Sequence, residues 1–346
     1  MGEQRIDEID GWRAVAVTLV IIAHIDFGIA GQPYYSLLYR GALGVQIFFV
    51  ISGFVITLGF LNERERHGTI DVRGFYIRRA FRILPPLLLY LGGVTALAVS
   101  GLIPTDAYVF GLWKSLIFVC NFQNCGGTLG AHLWSLSAEE QFYLAYPVLI
   151  LVAGLSIRSA FAAFIAMPVI CLALYATRMP HIQAVADVLT SSCWLLAGCF
   201  AAHLHTRNWT IPRSVVPVAF IALYFAWFLH YGAWQHMLYI FATPTLTALM
   251  LLGTLHGGGI ARALSFRPIV ELGRFSYGLY LWQQLATYPG SSLVYYLGTV
   301  SIAALLAFAL FYLVERRLIN YGRRLAGRRH VPVHSVTPAT ATRLGY

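Results

Sequence analysis

The sequence predicts an all-α integral membrane protein, a bundle of about ten transmembrane helices with both termini cytoplasmic. Three observations carry that prediction. Of 346 residues, 58% are hydrophobic and only 11% charged, whereas a soluble domain carries about 25% charged residues. Nearly uncharged stretches recur at the roughly 20-residue length that a bilayer requires. The basic residues lie between those stretches, on alternating sides. An ordinary soluble enzyme and a disordered chain are both excluded by this composition. The net charge of +10 is explained by membrane topology, and nucleic acid is not an expected partner.

The stretches fall at residues 12–31, 41–61, 83–103, 136–157, 159–177, 188–204, 214–234, 237–255, 270–290 and 291–314. A shorter apolar segment, Ala107 to Cys120, is interrupted by Lys114, the only lysine, and reads as re-entrant or interfacial. With ten spans and both termini inside, all the basic residues except Arg40, Lys114 and Arg178 face the cytoplasm. An eleventh span would put the arginine-rich run from Arg316 onward outside. The first span follows acidic residues without a small-residue cleavage site, so it reads as a retained helix. Residues 1–329 are therefore expected to form one transmembrane domain, and the polar segment 330–346 a disordered cytoplasmic tail.

Five cysteines show no metal-ligand spacing, and no metal is expected. Cys171, Cys193 and Cys199 lie in spans as core thiols. Cys120 and Cys125 lie in the external segment 104–133, where an oxidising compartment permits a disulfide.

Ionisable groups at bilayer depth cost at least ~2.5 kcal/mol, so they are candidates for function. His24, in the first span, lies 11 residues after Arg13. That separation is three helical turns plus about 20°, so both share a face, roughly 16 Å apart along the axis. Asp10 sits one turn below Arg13 on the same side. The segment Trp134-Ser-Leu-Ser-Ala-Glu-Glu-Gln-Phe-Tyr143 opens the fourth span. Ser137 and Glu140 have capping-box spacing, which gives Glu140 a structural reason, while Glu139 has none. Trp134 and Tyr143 also suit an interfacial anchoring role.

Before the third span stands Phe75-Tyr-Ile-Arg-Arg-Ala-Phe-Arg-Ile-Leu-Pro85. Arg78 and Arg82 are four apart on one helix face, a pairing suited to phosphate and equally to positive-inside flanking. Ser52-Gly53, inside Gly44 to Gly53, permits close helix approach. In the ninth span Ser276, Tyr277, Tyr280 and Gln284 bring hydrogen-bonding groups into the bundle, the last three as one stripe.

Taken in order, these segments resemble the acyltransferase-3 family of bacterial integral membrane acyltransferases. The matching pieces are Asp10-Gly-Trp-Arg13 with His24 after ten intervening residues, Gly44 to Phe54, Arg78-Arg79-x-x-Arg82-Ile-x-Pro85, Trp134 to Tyr143, and Gly273 to Leu281, with Val314-Glu315 closing the last span. The resemblance runs from about residue 5 to 326 and implies the stand-alone form, without a fused esterase-like domain.

It implies transfer of an acyl group, usually acetyl, from cytoplasmic acyl-CoA to a hydroxyl of an extracytoplasmic or lipid-linked glycan. The setting it implies is the bacterial inner membrane, where envelope-biosynthesis proteins are potential partners. Acyl-CoA is a co-substrate and no bound cofactor is implied. By position, His24 matches the family's catalytic histidine and Glu139 the acidic residue of its Trp-Ser-Leu motif. Arg13 matches the arginine of the arginine-ten-residues-histidine motif, and Arg78, Arg79 and Arg82 the basic motif linked to acyl-CoA. Gln46 and Gln283 depart from it, standing where many members carry an acidic residue and a histidine.

His24 is thus expected to act as general base, with Glu139 holding the acceptor or orienting the imidazole. Arg13, too far along the helix to touch His24, is expected to serve the donor or Asp10. The remaining binding candidates are Ser52, Trp134, Tyr143, Ser276, Tyr277 and Tyr280. A proton-relaying transporter or flippase is the rival reading of the same intramembrane charges.

Overall fold

The computed structural model describes residues 6–30, 41–103, 109–123, 125–226, 233–287 and 293–327. The tail expected at 330–346 lies outside the described residues. Among the described residues there is no strand.

Helix α1, Asp7–Ala30, opens with Asp7, Glu8 and Asp10 in its first turn, where negative charge complements the helix dipole. Helix α2, Gly41–His67, ends on Arg64, Arg66 and His67. Asp71 caps α3, Val72–Val99, by accepting from the Gly74 N–H at 2.8 Å. That start places Arg78, Arg79 and Arg82 in its first three turns. A 3₁₀ segment, Val109–Ile117, and the short α4, Gly127–Gly130, lead to α5, Leu133–Ala153. Then come α6, Ile157–Ala176, α7, Pro180–His205, α8, Val215–Ala226, and α9, Ala233–Thr254. Two short helices, α10 (Gly259–Leu264) and α11 (Arg267–Arg274), precede α12, Ser276–Trp282.

Among the described residues, five helices are long and apolar enough to cross a bilayer: Gly41–His67, Val72–Val99, Ile157–Ala176, His181–His205 and Val294–Gly327. Val215–Ala226 and Tyr239–Thr254 are shorter apolar helices. Helices α1 and α5 are also of span length, 24 and 21 residues, but carry the charged candidates. Leu144, Val148, Val152, Phe161, Val169, Ile221, Leu305 and Phe308 lie exposed on outer faces, as lipid-facing side chains do when lipid is the solvent.

The ninth span departs from a continuous helix over 270–290. Phe275 separates α11 from α12, and a 3₁₀ turn, Gln283–Thr287, follows at once. The break has a packing reason: Gly273 meets α1 so closely that a Cβ there would lie 1.8 Å from the Asp10 carbonyl oxygen. Irregular backbone at membrane depth is tolerated only inside the protein, and Leu281, Trp282, Gln283 and Gln284 are all buried. The last span is longer than expected. Helix α13, Leu293–Leu310, passes through a π turn, Phe311–Glu315, into α14, Arg316–Gly327.

Helices α2 and α7 cross backbone to backbone. A Cβ on Gly53 would sit 1.9 Å from the Leu195 carbonyl oxygen, and one on Gly198 would sit 2.0 Å from that of Val50. This is the small-residue approach expected at Ser52-Gly53.

The segment before α5 folds back over the helix ends. Cys120 and Cys125 form a disulfide. Ser137 lies inside α5, so the expected capping box does not form. Its Oγ donates to the Leu133 carbonyl at 3.0 Å and accepts the Cys120 N–H at 3.1 Å. Gln141 bonds the Phe118 carbonyl and Asn121. Helix α5 therefore starts earlier than the box implies, and its serine is used to pin the loop.

Candidate active site

Two cavities meet inside the bundle, and both are lined by Val55, Arg79 and Arg82. The larger, about 290 Å³, opens among the basic residues Arg66, His67, Arg78 and Arg323, with Glu63 beside them. The smaller, about 80 Å³, lies deeper and is lined by Arg13, Ser52, Ser135, Glu139, Ser276, Tyr277 and Tyr280, closed by Val45, Phe48 and Phe49. Pockets for drug-sized ligands run to roughly 300–1,000 Å³, so the inner chamber suits a small group and the outer cavity a larger one.

The chamber's charged floor is tied together by Glu139. Its Oε1 accepts from Ser52 Oγ and from the Tyr143 hydroxyl, one helical turn on. Arg79 Nη2 lies 3.6 Å from the same oxygen, and its guanidinium stacks 3.6 Å over the Tyr143 ring. Residues from α2, α3 and α5 thus converge on one carboxylate. Arg13 bonds Asp10 at 2.9 Å, as their shared helix face implied, and Asp10 is buried. Arg78 is more exposed and pairs with Glu63 at 3.7 Å, so it lines only the larger cavity. Arg82 has neither an ion pair nor a hydrogen bond among the described residues, and its positive neighbours are Arg13 and Arg79.

The far wall is built from α12. The Tyr277 hydroxyl donates to the Ile83 carbonyl at 3.3 Å. The Tyr280 hydroxyl donates to the His132 carbonyl at 2.9 Å and lies 2.6 Å from Ser135 Oγ. Trp134 stands apart: it is 41% exposed, edge-on to Phe49, and lines neither cavity.

His24 lines neither cavity. It sits further along α1, close to the side chain of Gln283. Glu139 makes no hydrogen bond or ion pair with the imidazole among the described residues; its Oε1 is engaged with Ser52, Tyr143 and Arg79. The departure at Gln283 therefore stands beside the histidine. At the other departure, the Gln46 amide donates to the Tyr239 hydroxyl.

His132 and Tyr90 were not marked by the sequence reading. His132, just before α5, is 4% exposed and packs edge-on against Tyr90 and Tyr280, at 5.5 and 5.3 Å between ring centroids. Gln284 Nε2 donates to the Thr128 carbonyl at 2.7 Å, and Tyr90 to that of Leu129 at 2.6 Å. The available signal was a histidine two residues before Trp134, in a segment that the loop folds inward. Glu140 is buried, with Oε1 unpartnered among the described residues.

Fold and site together define an all-helical membrane protein, with several candidate membrane-spanning helices and a basic cavity opening into a small polar chamber. The chain belongs to the acyltransferase-3 family: the family's acyltransferase-domain model matches residues 6–315. It is 30% identical over 308 residues to a provisionally named O-acetyltransferase of Staphylococcus aureus strain COL, covering 80% of this chain and 50% of that protein. It is 28% identical to the peptidoglycan O-acetyltransferase OatA of Listeria monocytogenes, with 80% and 48% covered. The corresponding shares for a provisionally named peptidoglycan O-acetyltransferase of Bacillus subtilis, also 28% identical, are 96% and 57%. The chain spans about half the length of these curated relatives. No solved structure matches it.

Proposed function

We propose that this protein is a membrane O-acyltransferase of the bacterial inner membrane. It moves an acyl group, acetyl by preference, from cytoplasmic acyl-CoA to a hydroxyl of an extracytoplasmic or lipid-linked glycan. The observation that supports this most is the sharing of Arg79 and Arg82 by the two cavities. The larger basic cavity suits the phosphates and body of CoA, and the chamber suits the thioester end. Both termini and the arginine-rich helix ends then face the cytoplasm.

In this reading His24 takes the acceptor hydroxyl's proton as the oxygen attacks the thioester carbonyl. A tetrahedral oxyanion forms, and collapse expels CoA as thiolate toward the basic side. The thioester supplies its own leaving group, so the chemistry requires neither a metal nor a bound cofactor. The cationic Arg13 and Arg82 and the hydroxyls of Ser276 and Tyr277, all lining the chamber, are placed to favour the developing negative charge. Glu139 holds Arg79 and Ser52 in place, which makes it a positioning group on the donor side. Further envelope-biosynthesis proteins deliver or carry away the glycan.

The test is incubation of purified protein with labelled acetyl-CoA and a panel of soluble glycans, among them the N-acetylglucosamine–N-acetylmuramic acid disaccharide. Mass analysis of protein and product then follows the label. Acceptor-dependent loss of the thioester with label on the glycan is expected. Its absence across the panel would favour the transporter reading.

A further inference from the structure

His132 is a buried imidazole whose two ring nitrogens have no hydrogen-bond partner among the described residues. Leaving a buried donor or acceptor unmade is costly, and such groups in a folded protein call for an explanation. Its placement is rigid. The carbonyl of His132 is held twice, by the Tyr280 hydroxyl at 2.9 Å and by Ser135 Oγ at 3.0 Å. Both holding side chains line the chamber. The ring is clamped edge-on between Tyr90 and Tyr280. Tyr90 is itself anchored to the Leu129 carbonyl, on the loop that carries His132.

The surroundings are those of a site. His132 and His24 lie close enough to interact electrostatically. Gln283, close to His24, is followed by Gln284, bonded to the His132 loop at Thr128. Two imidazoles and two amides therefore collect around the loop whose carbonyl the chamber-lining Ser135 and Tyr280 hold. A clamp that fixes the backbone and ring beside two chamber-lining hydroxyls, while leaving both buried nitrogens without a partner among the described residues, suits the binding of something polar. In the transfer chemistry, the polar reactant at that end is the acceptor.

We propose that His132 is a second histidine of the transfer site, hydrogen-bonding the acceptor sugar's hydroxyls while His24 takes the proton. The assignment rests on the O-acyltransferase reading above. His132 forms no bond to the acyl group. It orients the nucleophile through one or both nitrogens, and its effect therefore falls on the acceptor.

The experiment compares wild type with His132→Phe and His132→Gln, using acetyl-CoA and the most active glycan of the panel. Phe keeps the ring packing on Tyr90 and Tyr280 but makes no hydrogen bond, whereas Gln keeps a donor and an acceptor but loses the ring. The Phe variant is expected to lower kcat/KM for the glycan by about tenfold or more, the scale of one lost hydrogen bond to a reacting group, with KM for acetyl-CoA unchanged. The Gln variant is expected to recover most of that loss. A structural histidine predicts the opposite order, with Phe active and Gln impaired, and that result overturns the assignment, as does an unchanged glycan kcat/KM in the Phe variant. Should His132→Phe fail to insert, His132→Leu, smaller and equally unable to hydrogen-bond, takes its place. Wild-type protein that consumes no acetyl-CoA with any glycan overturns the transferase reading and this assignment with it. Wild-type turnover with indifferent variants overturns this assignment alone.

Discussion

Replacing Glu139 by Gln keeps its size and removes its charge. In the structure that charge accepts two hydroxyl hydrogen bonds, from Ser52 and Tyr143, and faces Arg79 at 3.6 Å. Hydrogen bonds to charged groups are each worth about 1.5–3 kcal/mol. Gln still offers one neutral acceptor, so about half of that interaction survives. The lost remainder, with Arg79 left facing an amide, is about 2 kcal/mol, or roughly 30-fold at 1.4 kcal/mol per decade. Because Arg79 lines both cavities, the loss is expected in kcat/KM for acetyl-CoA, with KM for the glycan little changed. Steady-state kinetics with each substrate varied in turn measures the split. A double-mutant cycle with Arg79→Gln is expected to be non-additive by about 1 kcal/mol or more, since the two groups are in contact. Additive effects, or a change confined to glycan KM, would refute the view that Glu139 acts through Arg79 and restore it to a place beside the acceptor.

His24→Ala is expected to lower turnover by about 10²–10⁴ while the protein still inserts and still binds acyl-CoA; near-full turnover in an inserted variant would remove the imidazole from the mechanism. Arg82→Ala is expected to raise KM for acyl-CoA more than Arg78→Ala does, because Arg82 lines both cavities while Arg78 lines one and pairs with Glu63. High salt should mimic part of the Arg78 effect, that side chain being 38% exposed. Acetyl-CoA is expected to be used at least about tenfold better than butyryl-CoA, because excess methylenes in a fitted pocket are discriminated on that scale, and Phe49→Ala should narrow the ratio. Impermeant cysteine reagents are expected to label introduced positions in 104–133, and not the C-terminal segment, in intact cells.

What could be read before folding was whatever depends on local periodicity. The shared face of Asp10 and Arg13 follows from their spacing, and the structure joins them at 2.9 Å. A disulfide between Cys120 and Cys125 was permitted, though not required, by the expected external segment holding both, and the structure forms it. The close approach at Gly53 followed from a small residue within a span. What stayed hidden depends on contacts distant in sequence. Nothing near Glu139 announces that its partners come from Ser52 on α2 and Arg79 on α3. The capping box at Ser137 failed because a serine oxygen can serve a loop 17 residues away instead of its own helix end. The ninth span looked continuous because apolar composition persists through Phe275 and Gln283. Its break is set by how tightly Gly273 meets α1. His132 escaped notice because the search for costly groups was confined to spans, while the loop carrying it folds into the bundle.

The polar groups sort by depth, and their satisfaction sorts with them. Burying a polar or ionisable group in a bilayer protein is tolerable when it is paired, and most of these are. Asp10 bonds Arg13, Glu139 bonds Ser52 and Tyr143, and Gln46 bonds Tyr239. Among the described residues the exceptions include Glu140 and His203, and two others bear on the site. Arg82, without an ion pair or hydrogen bond, stands where the two cavities meet. His132, with both nitrogens open, stands behind Ser135 and Tyr280 at the other end of the small chamber. A guanidinium with unused hydrogen-bond donors at a cavity junction favours an anionic guest, and an unpartnered imidazole favours a hydroxyl. Under the proposed function, such a site would take a phosphorylated thioester from one side and an alcohol from the other, and a chamber of about 80 Å³ leaves space for little more than the group being passed.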